Sequence, residues 1–247
     1  MDRLTRSIPT DVAAATLPAA RRSSRLLRVA AHAVLMLGLV ACGSDSGPDQ
    51  EDDDPTPPPP DQSTLVPSGT PGFIEARTSQ IVTNGGAPSW VFDDFTFSTA
   101  GTIRTVRWQG IYCVQQPNAP APTPTASSFT VTFYEDVSGR PNTATPLQAS
   151  TYTVAQAGQV FDKTVGGLFC GTAANTTWPF YNYAVTLSTP FSAAAGTKYW
   201  ISVQATTPSY DVYFGWRDGT ANNNLSLQLF DGVYTTFNVD RAYALEP

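Results

Sequence analysis

In FTVTFYED the side chains alternate, with Phe129, Val131 and Phe133 on one face of an extended chain and Thr130, Thr132 and Tyr134 on the other. KYWISVQA repeats the pattern, setting Tyr199, Ile201 and Val203 against Trp200, Ser202 and Gln204. In SYDVYFGW it places Tyr210, Val212, Phe214 and Trp216 together, and in LSLQLF it aligns Leu225, Leu227 and Leu229. Successive side chains of a strand point to opposite faces, so each run predicts a strand with one apolar face. Turn residues separate the runs, at Asn84-Gly85-Gly86, Ser138-Gly139, Gly166-Gly167, Ala195-Gly196, Asp218-Gly219 and Asp231-Gly232. Residues 65–247 are therefore expected to form an all-β domain, an antiparallel β-sandwich or jelly roll.

The pattern before residue 65 is different. Residues 29–40 form a twelve-residue apolar run that follows Arg21, Arg22, Arg25 and Arg28. It is too short to span a bilayer, which takes about 20 residues, and it matches the apolar region of an export signal. It ends in Leu39-Val40-Ala41-Cys42, which resembles the lipobox of bacterial lipoproteins. The resemblance implies that residues 1–41 are a signal peptide removed during export. It also implies acylation of Cys42 with palmitate-type chains and attachment to the membrane through that lipid anchor. Gly43 and Ser44 follow in place of an Asp, so the resemblance places the protein in the bacterial cell envelope, at the outer membrane in a Gram-negative source. Two or more acyl chains anchor stably where one holds only marginally.

Residues 42–64 then read as the lipidated cysteine and a linker. Glu51, Asp52, Asp53 and Asp54 repel one another, and Pro57 to Pro60 favour an extended chain. With almost no apolar side chain, the segment cannot bury a core and serves as a solvated spacer.

Charge narrows the partners. Downstream of Cys42 there are 18 acidic and 8 basic side chains, and seven of the acids lie in residues 43–62. The domain itself is nearly neutral and carries no basic patch able to neutralise a row of phosphates, so nucleic acid is not expected as a partner. The two remaining cysteines, Cys113 and Cys170, are predicted to pair in an oxidising compartment, with two buried thiols as the alternative. A loop of that length stabilises a fold by about 4 kcal/mol in the chain-entropy model.

WVFDDFTF, IRTVRWQGIY, FTVTFYED and GTKYWISV together resemble a loosely defined group of bacterial secreted β-sandwich modules. The likeness spans most of residues 85–245 and implies fold rather than activity. The Pro-rich stretch after Cys113 and the cysteine pair depart from that group.

The only histidine, His32, lies in the signal segment. Its removal leaves a mature chain without a Ser-His-Asp triad, a Cys-His dyad or a His-ligated metal. Carboxylates and aromatics remain. Asp93, Asp94 and Asp240 are candidate oxygen donors to a structural Ca²⁺, the only cofactor considered. Asp93-Asp94 and Glu135-Asp136 are the pairs from which a glycosidase couple would be drawn. Trp178, Tyr181 and Tyr183, with Tyr213 and Arg217, are the candidate ligand-binding residues, because aromatic faces stack on sugar rings. The leading functional expectation is a lipid-anchored, non-catalytic surface module that binds glycan or an envelope protein. The alternative is a structural envelope or matrix protein, and the third reading is a carboxylate-based glycoside hydrolase.

Overall fold

A computed structural model describes residues 62–67, 75–114, 121–166 and 177–247. The signal segment, Cys42, most of the linker and Cys170 lie outside the described residues.

Among the described residues fourteen strands form two seven-stranded sheets, and there is no helix. The first sheet is built on the long strand β5 (Gly101–Cys113). Strand β14 (Tyr243–Glu246) pairs with residues 105–108 of β5, β11 (Tyr213–Arg217) with residues 110–113, and β9 (Thr177–Ala193) with residues 101–111. Shorter strands β1 (Gln62–Ser63), β2 (Ala76–Thr78) and β8 (Val160–Gly166) border β14, β11 and β9 in turn. The second sheet runs β13 (Val233–Phe237), β12 (Ser226–Phe230), β4 (Ser89–Thr96), β3 (Gln80–Val82), β10 (Lys198–Thr207), β6 (Ser128–Glu135) and β7 (Gln148–Thr153). This is the β-sandwich that alternation predicts. It is not wholly antiparallel, because β3 enters between β4 and β10 and pairs parallel with β10.

The inner faces meet in one core. Val91, Phe95, Phe129, Val131, Phe133, Ile201 and Val203 come from the second sheet. Val106, Trp108, Tyr112, Tyr183, Phe214, Trp216 and Tyr243 come from the first. Rings lock the layers: Trp108 meets Phe129 edge-on at 5.4 Å and 62°, and Phe133 stacks on Phe191 at 4.3 Å and 11°. Such aromatic pairs add about 0.5–1.5 kcal/mol beyond the area they bury.

Two predictions from local sequence change. The strand in SYDVYFGW begins at Tyr213, so Tyr210 lies in the preceding turn rather than beside Phe214. The last linker residues belong to the domain, since Gln62 and Ser63 pair with β14. Thr64 is buried there, and its hydroxyl donates to the Arg241 carbonyl at 2.6 Å.

Candidate functional site

The five predicted ligand-binding residues do not form one surface. Alternation along β9 sends Trp178, Phe180 and Asn182 to the outer face of the first sheet, and Tyr181 and Tyr183 toward the core. Trp178 is fully buried with Ile111, Cys113 and Phe180. Tyr183 is buried on Trp108, and its hydroxyl donates to Gln159 Oε1 at 3.2 Å. Tyr112 donates to the same oxygen at 3.3 Å, and burial pushes both phenols above their ordinary pKa. Arg217 is also buried: its guanidinium lies 5.0 Å from the Phe180 ring centre and Nη1 donates to Gln109 Oε1 at 3.0 Å. These side chains are packing elements, not an exposed aromatic platform. Of the five, Tyr181 and Tyr213 are only half-buried, and Tyr213 borders an open cleft.

The cation site predicted at Asp93, Asp94 and Asp240 is not assembled. Among the described residues no group of three or more His, Cys, Asp or Glu side chains is placed to hold a metal. Asp93 and Asp94 are consecutive on β4 and point to opposite faces. Asp93 faces inward and accepts from the Arg241 backbone N–H. Asp94 faces outward and accepts from Lys198 Nζ at 3.0 Å and Asn223 Nδ2 at 2.8 Å. The Asp240 carboxylate binds backbone N–H groups of Asn222 at 2.5 Å, Asn224 at 3.1 Å and Leu225 at 3.3 Å, closing the turn before β12. Positive charge comes instead from the protein. Arg241, with a fully buried side chain, pairs with Asp218 beside the first sheet and reaches the second by donating from Nε to Ser226 Oγ at 3.2 Å. Burial raises the pKa of Asp93 well above the carboxylate value and raises those of Asp94 and Asp218. Of the second acidic pair, Asp136 is also engaged, accepting from Trp200 Nε1 at 2.7 Å and from the Gly139 N–H at 3.1 Å, while Glu135 is exposed.

An open cleft lies where the edge of the first sheet meets β12 and β13. Strand β2 supplies only three residues there, against five in each of β12 and β13. The inward-facing ends of that hairpin therefore stay uncovered, leaving Phe230 52% and Val233 65% exposed. Asp231 and Gly232 join the strands with φ of +49° and +75°, the two positive angles of a type I′ turn. The floor is tied across the sheets, as Gln228 Nε2 donates to the Thr78 carbonyl and to Ser89 Oγ, each at 3.0 Å. Ser89 Oγ in turn donates to the Thr78 carbonyl at 2.7 Å.

The opposite wall carries two tyrosines. Tyr210 and Tyr213 have ring centres 5.8 Å apart and planes inclined by 38°. Tyr210 lies directly against Gly86, and its hydroxyl donates to the Ala87 carbonyl. Gly86 has φ of +117° and lacks a Cβ, which leaves the space that the ring fills. The cleft holds about 800 Å³, within the usual range of roughly 300–1,000 Å³ for small-ligand sites. Rings, an amide, hydroxyls and one carboxylate, Asp231, line it together.

A family model described as a domain of unknown function, DUF7901, matches residues 68–232, more than half of the chain. The chain belongs to the DUF7901 family. The matched part of this DUF7901 domain contains both cleft tyrosines and ends at the β12–β13 turn. Val233 and Thr235, which complete the cleft, lie just beyond it. No curated protein and no solved structure matches the chain.

Sequence reasoning missed most of the DUF7901 cleft. Tyr210 was read as one position in a strand pattern, and Phe230 and Val233 were not singled out. A usable signal was present: the Asp-Gly turn carries a large apolar residue on each side, Phe230 and Val233, at positions where solvated hairpin tips are usually polar.

Proposed function

We propose that the chain is a lipid-anchored surface module whose folded domain binds glycan in the tyrosine-lined cleft. The cleft carries the reading, because it combines exposed ring faces with hydrogen-bonding groups in a space that fits a small oligosaccharide. Sugar rings offer apolar C–H faces to aromatic rings and hydroxyls to amides and carboxylates. The cleft presents a single carboxylate, Asp231, whereas glycoside hydrolysis draws on two flanking the scissile bond. Binding is therefore favoured over hydrolysis.

The anchor rests on the lipobox resemblance at Leu39-Val40-Ala41-Cys42. Cys113 and Cys170 are taken as a disulfide pair; in support, Cys113 is buried and bonded rather than free.

A glycan array probed with the full-length protein in detergent tests the binding reading. Phe230→Ala and Tyr213→Ala should each weaken the strongest signal about tenfold or more, with near-ultraviolet circular dichroism showing an intact fold. An array with no signal above a denatured control removes the reading. Metabolic labelling with palmitate tests the anchor: Cys42→Ser should lose the label and leave the membrane fraction.

A further inference from the structure

The charges around the cleft restrict which glycans it takes. Among the residues lining it there is no Lys or Arg, and the one ionised side chain is Asp231 at the hairpin tip. Asp211 lies beside the tyrosine wall, exposed, with its carboxylate accepting from Ser209 Oγ at 2.8 Å. Both Tyr213 and this acid sit on one short segment, and burial first, then Tyr210 and Asp211, raise the Tyr213 pKa. The cation on the neighbouring strand is already paired. Arg77, next to Thr78, places its guanidinium 4.3 Å from the Phe237 ring centre and pairs with Glu75 at 2.6 Å. The folded domain adds no compensating field, with 11 acidic and 8 basic side chains from residue 65 onward.

A bound sulfate or uronate would leave its hydration shell and meet no counter-charge, while facing like charge at the rim. A protonated amine would meet Asp231 instead. Resting on the reading of the cleft as a glycan site, we propose that it accepts neutral and amino-bearing sugars and discriminates against sulfated and uronic ones. Asp231 sets the preference for the amine.

The test compares neutral N-acetylglucosamine oligomers, the corresponding glucosamine oligomers and oligogalacturonate of equal length, alongside an array containing all three charge classes. The full-length protein is titrated calorimetrically at a pH that keeps the amines protonated. Asp231→Asn is the informative variant, because Asn readily adopts positive φ and the Asn-Gly turn preserves the hairpin. The amino form should bind roughly two- to fivefold tighter than the neutral form, as expected for one partly exposed ion pair. That margin should vanish in Asp231→Asn and shrink in about 1 M salt, where the screening length falls to roughly 3 Å.

Anionic sugars binding as tightly as neutral ones would overturn the discrimination while leaving a glycan site in place. An unchanged amine preference in Asp231→Asn would overturn the role given to that residue. Failure of all three charge classes to bind would overturn the glycan reading itself, and the inference with it.

Discussion

Replacing Gly86 by alanine tests how the cleft is held open. An added Cβ would lie 2.7 Å from the Tyr210 hydroxyl oxygen and 2.9 Å from Cζ, with the ring edge closer still. Van der Waals contact needs about 3.5 Å or more, so the ring must leave its place and release its hydrogen bond to the Ala87 carbonyl. Positive φ in a residue bearing a side chain costs of order 1–3 kcal/mol. Overpacking adds about 1–3 kcal/mol, and the lost hydrogen bond about 1 kcal/mol.

Gly85→Ala is the matched control. Its φ of +97° carries the same kind of backbone strain, yet nothing lies within 4 Å of the position a Cβ would take. Subtracting one variant from the other isolates the displacement of Tyr210. In a domain of this size each 1 kcal/mol shifts Tm by roughly 2–4 °C, so Gly86→Ala should melt at least about 2–4 °C below Gly85→Ala. Near-ultraviolet circular dichroism during thermal unfolding reports both the midpoint and the tyrosine environment. In a Tyr210→Ala background the extra cost of Gly86→Ala should disappear, because the group it strikes is gone. Equal midpoints for the two glycine variants, or an extra cost that survives in the Tyr210→Ala background, would refute the reasoning.

Further outcomes follow from the core and its buried charges. Trp178→Ala should lose about 3–5 kcal/mol of stability by leaving a large cavity, while the folded fraction keeps its glycan affinity; a denaturant titration and calorimetry at low temperature separate the two effects. Arg241→Met should cost about 3–5 kcal/mol, because Asp218 is left without its buried partner, and adding Asp218→Leu should recover much of it in the urea midpoint. Burial holds Asp93, Asp94 and Asp218 above the ordinary carboxylate value of 3.8, so over the window just above 3.8 the native state keeps protons that the unfolded chain has released. Stability should therefore fall as pH rises through that window. Urea midpoints taken across it should show this slope, and Asp93→Asn should flatten it; a slope of the opposite sign would rule out burial as the dominant effect.

How much of this protein can be read from its letters depends on the range of the interaction involved. Alternation is a property of neighbours, so the faces of β6, β10 and β12 were legible directly. The Asp231-Gly232 turn was equally legible, since positive φ selects those residues. The binding role expected of Trp178, Tyr181 and Tyr183 did not foresee that all three lie on one long strand, β9, which runs through Pro179. Its backbone is tolerated here because the pairing with β5 extends only as far as Phe180. Composition alone could not show that the outer faces also pack, which places Trp178 against Cys113 and Phe92 against Trp200.

The all-β class, the turn positions and the lack of histidine downstream of the lipobox-like segment follow from the sequence by itself. Tertiary structure alone decided the cleft, whose lining comes from residues around 78, 87, 210 and 230. Those segments meet because β2 is short and β12 folds back on β4. No local pattern records which ring is left uncovered when two sheets of unequal reach close on each other, because exposure there depends on what the opposite layer fails to supply.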